Sequence, residues 1–345
     1  MPSCASSFLL QTVLRDAWNF SGYVTSDSGA IADIYSQHHY LNSTAAEGVA
    51  YAIKAGCDID SSLENGYFNS GSPYVWYARN ALSAGLITEA DVNALVRRTL
   101  RIRFELGLFD PIDTQPYWHY DPATAVDTAQ SQALNNIASR AGLVLLKNEA
   151  ALLPLDKRQS LALIGPHVNA QYALVGNYLG QICAEGFGVY SCILSPAEAI
   201  RRAMGPAANV MVVEGCDVST NSTQGFAAAL AAAEVADTIV LMLGLDTTTV
   251  EREGHDRTAL GLPGAQQQLL EAVVAVGAKR GRRVVLVTLS GGPVALDWAK
   301  TAAGVGAIIH AFYPGGSLRR TSHSATARCL PAALPSRAEP SSSHR

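Results

Sequence analysis

The chain has 345 residues, 48% of them apolar and 16% charged, enough material for one large domain or two ordinary ones with a substantial core. Its 25 Lys and Arg against 29 Asp and Glu leave a net charge of −4, so no basic surplus marks a nucleic-acid binder. No apolar run approaches about 18 residues, which argues against a spanning helix, and six cysteines without a Cys-x-x-Cys do not make a disulfide scaffold.

In chain order, Met1-Pro2-Ser3-Cys4 lacks the charged and apolar segments of a signal peptide. Ser6 to Trp18 carries Phe8, Leu9, Val13 and Leu14 at helical spacing. Gly22 to Ser26 predicts a short strand that ends at Asp27. Thr44 and Glu47 form a capping-box pattern for a helix through Lys54 that stops at Gly56. Cys57 to Asp60 predicts another short strand, and Thr88 with Asp91 opens a longer helix through Phe104, stopping at Gly107. Residues 110–123, with Pro111, Pro116 and Pro122, read as a connector. Beyond it, strands are expected at Gly142–Leu146, Leu161–Gly165, Val210–Val213, Thr238–Leu245, Val284–Leu289 and Val305–Ala311. These are mostly continuous apolar runs, as in a parallel sheet buried on both faces. Helices are expected between them at Ser195–Met204, Gly225–Val235 and Gly264–Val276. The fold class is therefore α/β. From Gly315 to Arg345 there are five Arg and one Glu among Ser and Pro, without periodicity, and this tail reads as disordered.

Parallel α/β folds place reacting groups at the carboxyl ends of strands. Two such ends carry carboxylates: Asp27, followed by the small residues Ser28-Gly29-Ala30, and the loop Asp246 to Arg257, which holds Glu251 and Glu253. The plainer readings are a helix N-cap for Asp27 and a solvated loop paired through Arg252 and Arg257 for the glutamates. Two carboxyl groups nevertheless suit acetal cleavage: one attacks the anomeric carbon while its protonated partner donates to the leaving oxygen, with retention at a separation of about 5–5.5 Å. The donor must keep its proton above the free Glu value of about 4.3.

The run Gly22-Tyr23-Val24-Thr25-Ser26-Asp27 resembles the nucleophile signature of glycoside hydrolase family 3. The resemblance continues through Ala55 to Asp60, Leu106 to Pro111, Gly142 to Asn148, Ile164-Gly165-Pro166, Gly176-Asn177-Tyr178 and Glu253-Gly254-His255-Asp256-Arg257, and so spans roughly residues 1–314. Pro2-Ser3-Cys4-Ala5, Gln115-Pro116-Tyr117 and the small Ser28 are most similar to the β-xylosidase and α-L-arabinofuranosidase branch. The resemblance implies the C-terminal part of a (β/α)8 barrel over residues 1–109 and a connector over 110–138. A parallel-sheet α/β sandwich follows over 139–314, then an aberrant tail over 315–345. It implies a retaining exo-glycosidase that releases terminal β-D-xylose, here as a fragment, with Asp27 as nucleophile, Glu253 as acid/base and Glu251 in reserve; the alternatives are an α-L-arabinofuranosidase or β-glucosidase of the same family, or an inert carbohydrate-binding fragment. Arg257 and Asp256 are expected to fix the loop. The implied partner is an oligosaccharide or polysaccharide, with no cofactor, metal, nucleic acid or membrane, in an extracellular setting.

Departures from the pattern accompany it. The branch usually has Cys after the nucleophile and after the Ile-Asp stretch, where this chain has Ser28 and Ser61, as a lost disulfide would leave. Cys183 and Cys192 flank a Gly-rich turn and are read either as a pair or as two free thiols. Asn19, Asn42 and Asn221 begin glycosylation sequons. A full barrel needs about 250 residues, against about 110 before the connector, so the chain is expected to begin near the barrel's end. The composition switch after Gly316 reads as a shifted frame or a mis-joined exon. Lesser features have ordinary expectations: surface roles for His38 and His39, a turn at Gly291-Gly292-Pro293, and core packing for Trp18, Trp76, Trp118 and Trp298. No dinucleotide or P-loop glycine pattern follows a predicted strand.

Overall fold

The computed structural model describes residues 1–62 and 71–315; most of the basic tail lies outside them. The chain divides into two compact units, Met1–Ala123 and a second that begins at Thr124.

The first unit is mainly helical. A π-type helix, Phe8–Ala17, precedes α1 (Ala30–Ser36), α2 (Ala45–Ala55), α3 (Pro73–Ser83) and α4 (Glu89–Glu105). The predicted capping boxes are present: Thr44 and Glu47 bond reciprocally at the start of α2, as do Thr88 and Asp91 at the start of α4. Each pair satisfies two N–H groups that a helix start leaves without partners. Gly56, at φ 96°, ends α2 in the left-handed conformation that suits glycine. Ile31, Ile34, Val49, Ile53, Cys57, Ile87 and Leu95 form this unit's core.

The two expected strands reduce to one parallel bridge, Thr25 to Ile59. Beside it Asp58 is buried, with a fully covered side chain. Its Oδ2 accepts from Arg15 Nη2 and from Val24 N–H, both at 2.8 Å, and its Oδ1 accepts from Arg98 Nε at 2.7 Å. A buried carboxylate is tolerated only with such partners, and here it joins the π-type helix, the bridge and α4.

In the second unit, α5 (Pro122–Ala125) is a single turn at the boundary, followed by α6 (Ala129–Ala141). Six strands form one sheet: β1 (Val144–Asn148), β2 (Leu161–Ile164), β3 (Val210–Val213), β4 (Thr238–Gly244), β5 (Val284–Leu289) and β6 (Val305–His310), in the order β1-β6-β5-β4-β2-β3. Helices α7 (Pro196–Met204), α8 (Phe226–Val235), α9 (Gln266–Lys279) and α10 (Asp297–Thr301) lie between strands. Alternate strand residues feed two cores. Ile164, Ile239, Leu241, Leu243, Leu286 and Ile308 pack with α8 and α9. Leu161, Leu163, Val240, Met242, Val287 and Ile309 pack with α7 and the segment around Leu153. Such two-sided burial is why these strands read as unbroken apolar runs.

β1 departs from expectation: it pairs antiparallel with β6, is displaced two residues from the predicted span, and is largely exposed. As an edge strand it has one hydrogen-bonded neighbour, so an antiparallel addition to a parallel sheet is sterically permitted. Helices α3, α5, α6 and α10 lie where the sequence predicts none. The four tryptophans are corrected too: Trp18, Trp76, Trp118 and Trp298 are 73%, 49%, 61% and 39% exposed. None occupies an inward stripe; on α10, for example, Ala299 takes the buried position.

Candidate active site

Without its edge strand β1, the sheet runs β3-β2-β4-β5-β6, all parallel. The chain goes from β2 outward to β3 and then returns to β4 on the other side of β2. That reversal is a topological switch point, where open α/β sheets form a crevice beyond their carboxyl ends. The loops after β2 and β4 flank it.

Gly165 directly follows β2 and Gly244 ends β4, and no other residue could replace either without displacement. A Cβ on Gly165 (φ 126°) would lie 2.2 Å from Met242 O, and one on Gly244 (φ 143°) 1.8 Å from Leu289 O. Gln266, fully buried, holds the second of these: its Oε1 accepts from Gly244 N at 2.7 Å, and its Nε2 donates to Gly244 O at 2.8 Å. Two residues on, Asp246 gathers the start of the loop. Its Oδ1 accepts from Thr249 N at 2.7 Å and Val250 N at 3.1 Å, and its Oδ2 from Thr248 Oγ1 at 2.9 Å. Burial alone would raise this carboxyl's pKa, but the donors from Thr249 and Thr248 outweigh it and hold it below the ordinary aspartate value.

The two candidate glutamates have different surroundings. Glu251 Oε2 accepts from Arg257 Nε at 2.6 Å, and its Oε1 from Gly292 N at 3.1 Å. Arg257 also donates to Pro293 O at 2.7 Å and Ala259 O at 3.1 Å. Gly291-Gly292-Pro293 is thus a turn that receives Glu251, and a Cβ on Gly292 would crowd that carboxylate at 3.2 Å. Both Glu251 oxygens face groups that can only donate. Glu253 instead stands exposed at the tip of a tight turn closed by Arg252 and His255, with Gly254 at φ 71° in the position that requires a left-handed residue. Its Oε2 accepts from the Tyr178 hydroxyl, contributed by the loop after β2. This hydrogen bond spans the switch point.

The surroundings include groups to which the sequence reading assigned no role. His167, after β2, is buried, and burial pushes its imidazole down to about 4, against the opposing influence of Asp246 and Gly244. Tyr313, after β6, packs near Gly291 and Gly176, and burial pushes its phenol up to about 12. Tyr178 and Glu253 each had a sequence signal, the Gly176-Asn177-Tyr178 run and the Glu253-Gly254-His255-Asp256-Arg257 run, but their pairing had none.

In the first unit, Asp27 is exposed at the end of the Thr25 bridge. It does not cap α1, whose N-cap is Gly29; its Oδ1 accepts from Ser28 N at 2.7 Å. Ser28 and Ser61 face each other with hydroxyl oxygens 3.4 Å apart. The Ser28→Cys/Ser61→Cys variant is expected to close a disulfide across residues 33 apart, stabilising the fold by about 3–4 kcal/mol on the chain-entropy account. Melting with and without reductant checks this; a midpoint indifferent to reductant would contradict it. Cys183 and Cys192 do form a disulfide, with Cα atoms 5.7 Å apart. Among the described residues no group of three or more His, Cys, Asp or Glu could hold a metal ion, and no helix is long and apolar enough to cross a membrane.

Residues 1–102 match the glycosyl hydrolase family 3 N terminal domain, and residues 143–329 the glycosyl hydrolase family 3 C-terminal domain. Beta-D-xylosidase 1 of Arabidopsis thaliana is 39% identical over 317 residues, covering 91% of this chain and 37% of the relative. A probable exo-1,4-beta-xylosidase, bxlB of Aspergillus fumigatus, is 37% identical over 92% of this chain and 38% of its own length. The chain therefore spans under two fifths of these curated relatives. Among solved structures, a GH3 exo-beta-xylosidase (XlnD) in complex with a xylobiose aziridine probe superposes with a TM-score of 0.80 at 32% identity, over 97% of this chain and 39% of that one. A beta-glucosidase from Listeria innocua shares the fold, with a TM-score of 0.77 at 23% identity, over 97% of this chain and 42% of that one. The chain belongs to glycosyl hydrolase family 3.

Proposed function

We propose that this chain carries the two reacting carboxyl groups of a retaining exo-glycosidase that releases terminal β-D-xylose from xylo-oligosaccharides. One observation carries the reading: the exposed Glu253 is held by Tyr178 across the switch point of the sheet, in a chain whose curated relatives named above are xylosidases. In this reading Asp27 attacks the anomeric carbon as Glu253 gives its proton to the departing oxygen. A glycosyl ester on Asp27 results. Glu253, now a carboxylate, takes a proton from water, and the water oxygen, entering from the face that the first leaving group vacated, displaces Asp27. Two inversions return the original configuration. Glu251, engaged by Arg257 and Gly292 N–H, holds the loop and is not the donor.

Residues 1–109 fit the C-terminal part of a (β/α)8 barrel, because Thr25 and Ile59 pair in parallel across intervening helices, as neighbouring barrel strands do. Residues 110–138 then act as connector and 139–314 as the sandwich domain. Secretion is supported by the Cys183–Cys192 disulfide and by the exposure of all three sequon asparagines, Asn19, Asn42 and Asn221.

The test is the anomer first released, followed by NMR, from a panel of nitrophenyl glycosides. Nitrophenyl β-D-xyloside should be cleaved fastest, with β-xylose appearing before mutarotation. Release of α-xylose would refute retention. Preference for an arabinofuranoside or glucoside would reassign the sugar, and binding of xylobiose without turnover of any substrate would leave a carbohydrate-binding protein.

A further inference from the structure

Beyond β6 the chain runs Ala311-Phe312-Tyr313-Pro314-Gly315. Ala311 is still tied to β5, its N–H donating to Thr288 O at 2.8 Å. Phe312 then takes the left-handed backbone, φ 51°, which an aromatic residue seldom adopts. Past Tyr313 the chain is fastened again: Pro314 O accepts from Ser139 Oγ on α6 at 2.6 Å, and Gly315 N donates to Leu174 O at 2.7 Å. Tyr313 is thus tied before and after along the backbone. Its half-buried side chain packs against the core cluster that includes Leu163, Leu174 and Leu289.

The Tyr313 ring borders two glycines from different loops. A Cβ built on Gly291 would lie 2.9 Å from Tyr313 Cε2, and one on Gly176 would lie 3.5 Å from Tyr313 Cδ2. Gly176 is in the loop after β2, two residues before Tyr178, and its carbonyl accepts from Thr247 Oγ1 at 3.3 Å. Gly291 is in the turn after β5, next to Gly292, whose N–H donates to Glu251. One ring therefore spaces the arm that reaches Glu253 from the turn that receives Glu251. The phenol oxygen is buried without a hydrogen-bond partner, so Tyr313 acts through the packing of its ring.

We propose that Tyr313 is a positioning residue for proton donation: its ring stands between Gly176 and Gly291 and sets where Tyr178 holds Glu253. The proposal rests on the reading of Glu253 as proton donor. Proton transfer needs the donor within hydrogen-bond reach of the leaving oxygen, and a displacement of about 1 Å can cost about 10²-fold. Without the ring, the loop at Gly176 has a gap to move into, because close packing is what holds such a segment in place. Tyr178 then no longer meets Glu253 at the same point. A methyl group on Gly291, where the backbone is not left-handed, displaces the ring instead and disturbs the same arm.

Three variants test this: Tyr313→Leu removes the ring, Tyr313→Phe keeps it, and Gly291→Ala pushes on it. Amide hydrogen exchange of the folded proteins is followed by mass spectrometry over peptides that cover 174–178 and 290–293. Exchange in both should quicken in Tyr313→Leu and Gly291→Ala and stay at the unmutated rate in Tyr313→Phe. On substrates, Tyr313→Leu and Gly291→Ala should lower kcat/KM for xylobiose by about 10–10²-fold, while the burst of glycosyl ester from nitrophenyl β-D-xyloside falls far less. Tyr313→Phe should stay within about twofold on both, since no hydrogen bond is lost. A ring that served only to hold the fold would slow both substrates alike, and that result would overturn the proposal. Unchanged exchange in Tyr313→Leu, or a Tyr313→Phe as impaired as Tyr313→Leu, would do the same. Glu253→Gln is measured alongside. If it separates the two substrates and Tyr313→Leu does not, this proposal falls and the proton donor stands; if Glu253→Gln does not separate them, the donor assignment falls and the role of Tyr313 falls with it. Should Tyr313→Leu fail to fold, Gly291→Ala decides by the same two readouts.

Discussion

Replacing Asp27 by Asn is expected to lower turnover of aryl β-xylosides by about 10⁴-fold or more, the scale on which loss of a covalent nucleophile is felt. Asparagine keeps the shape and can still accept from Ser28 N, the local hydrogen bond of Asp27, but it cannot form the glycosyl ester. Because Asp27 is exposed and does not cap α1, the melting midpoint should stay within the range of an ordinary surface change, about 0.5 kcal/mol. Turnover and xylobiose affinity are measured together. Near-normal turnover by Asp27→Asn would remove the nucleophile assignment.

Glu253→Gln should divide substrates by leaving group. A sugar leaving group needs a proton as the bond breaks, so xylobiose hydrolysis should fall by about 10²–10⁴-fold, the usual worth of a positioned acid. Nitrophenolate departs without protonation, so formation of the glycosyl ester from the nitrophenyl xyloside should fall far less in a pre-steady-state burst. Glu251→Gln supplies the contrast. It weakens the bonds to Arg257 Nε and Gly292 N, so it should lower the melting midpoint and affect both substrates alike. If the leaving-group split appeared in Glu251→Gln and not in Glu253→Gln, the two roles would be exchanged.

Much of the scaffold was legible because its signals are local. Thr44 with Glu47 and Thr88 with Asp91 satisfy helix-start N–H groups over three residues, a pattern visible in any short window. The five parallel strands were visible as apolar runs for the same reason. Helix α6 was missed because its Leu134 and Ile137 are exposed and mark no buried face. The tryptophans were misjudged because a large apolar side chain in sequence carries no record of which way its element faces.

By itself the sequence determined the α/β class, the caps, the sheet-forming segments and the two carboxyl-bearing loops, since each depends on chemistry within a few residues. Only the tertiary structure decided that the chain reverses between β2 and β4, that β1 runs antiparallel, and that Tyr178 meets Glu253 while Arg257 takes Glu251. It also decided that Asp58 gathers two arginines. These are meetings of residues far apart along the backbone, set by how helices and sheet pack together, and no local periodicity encodes them.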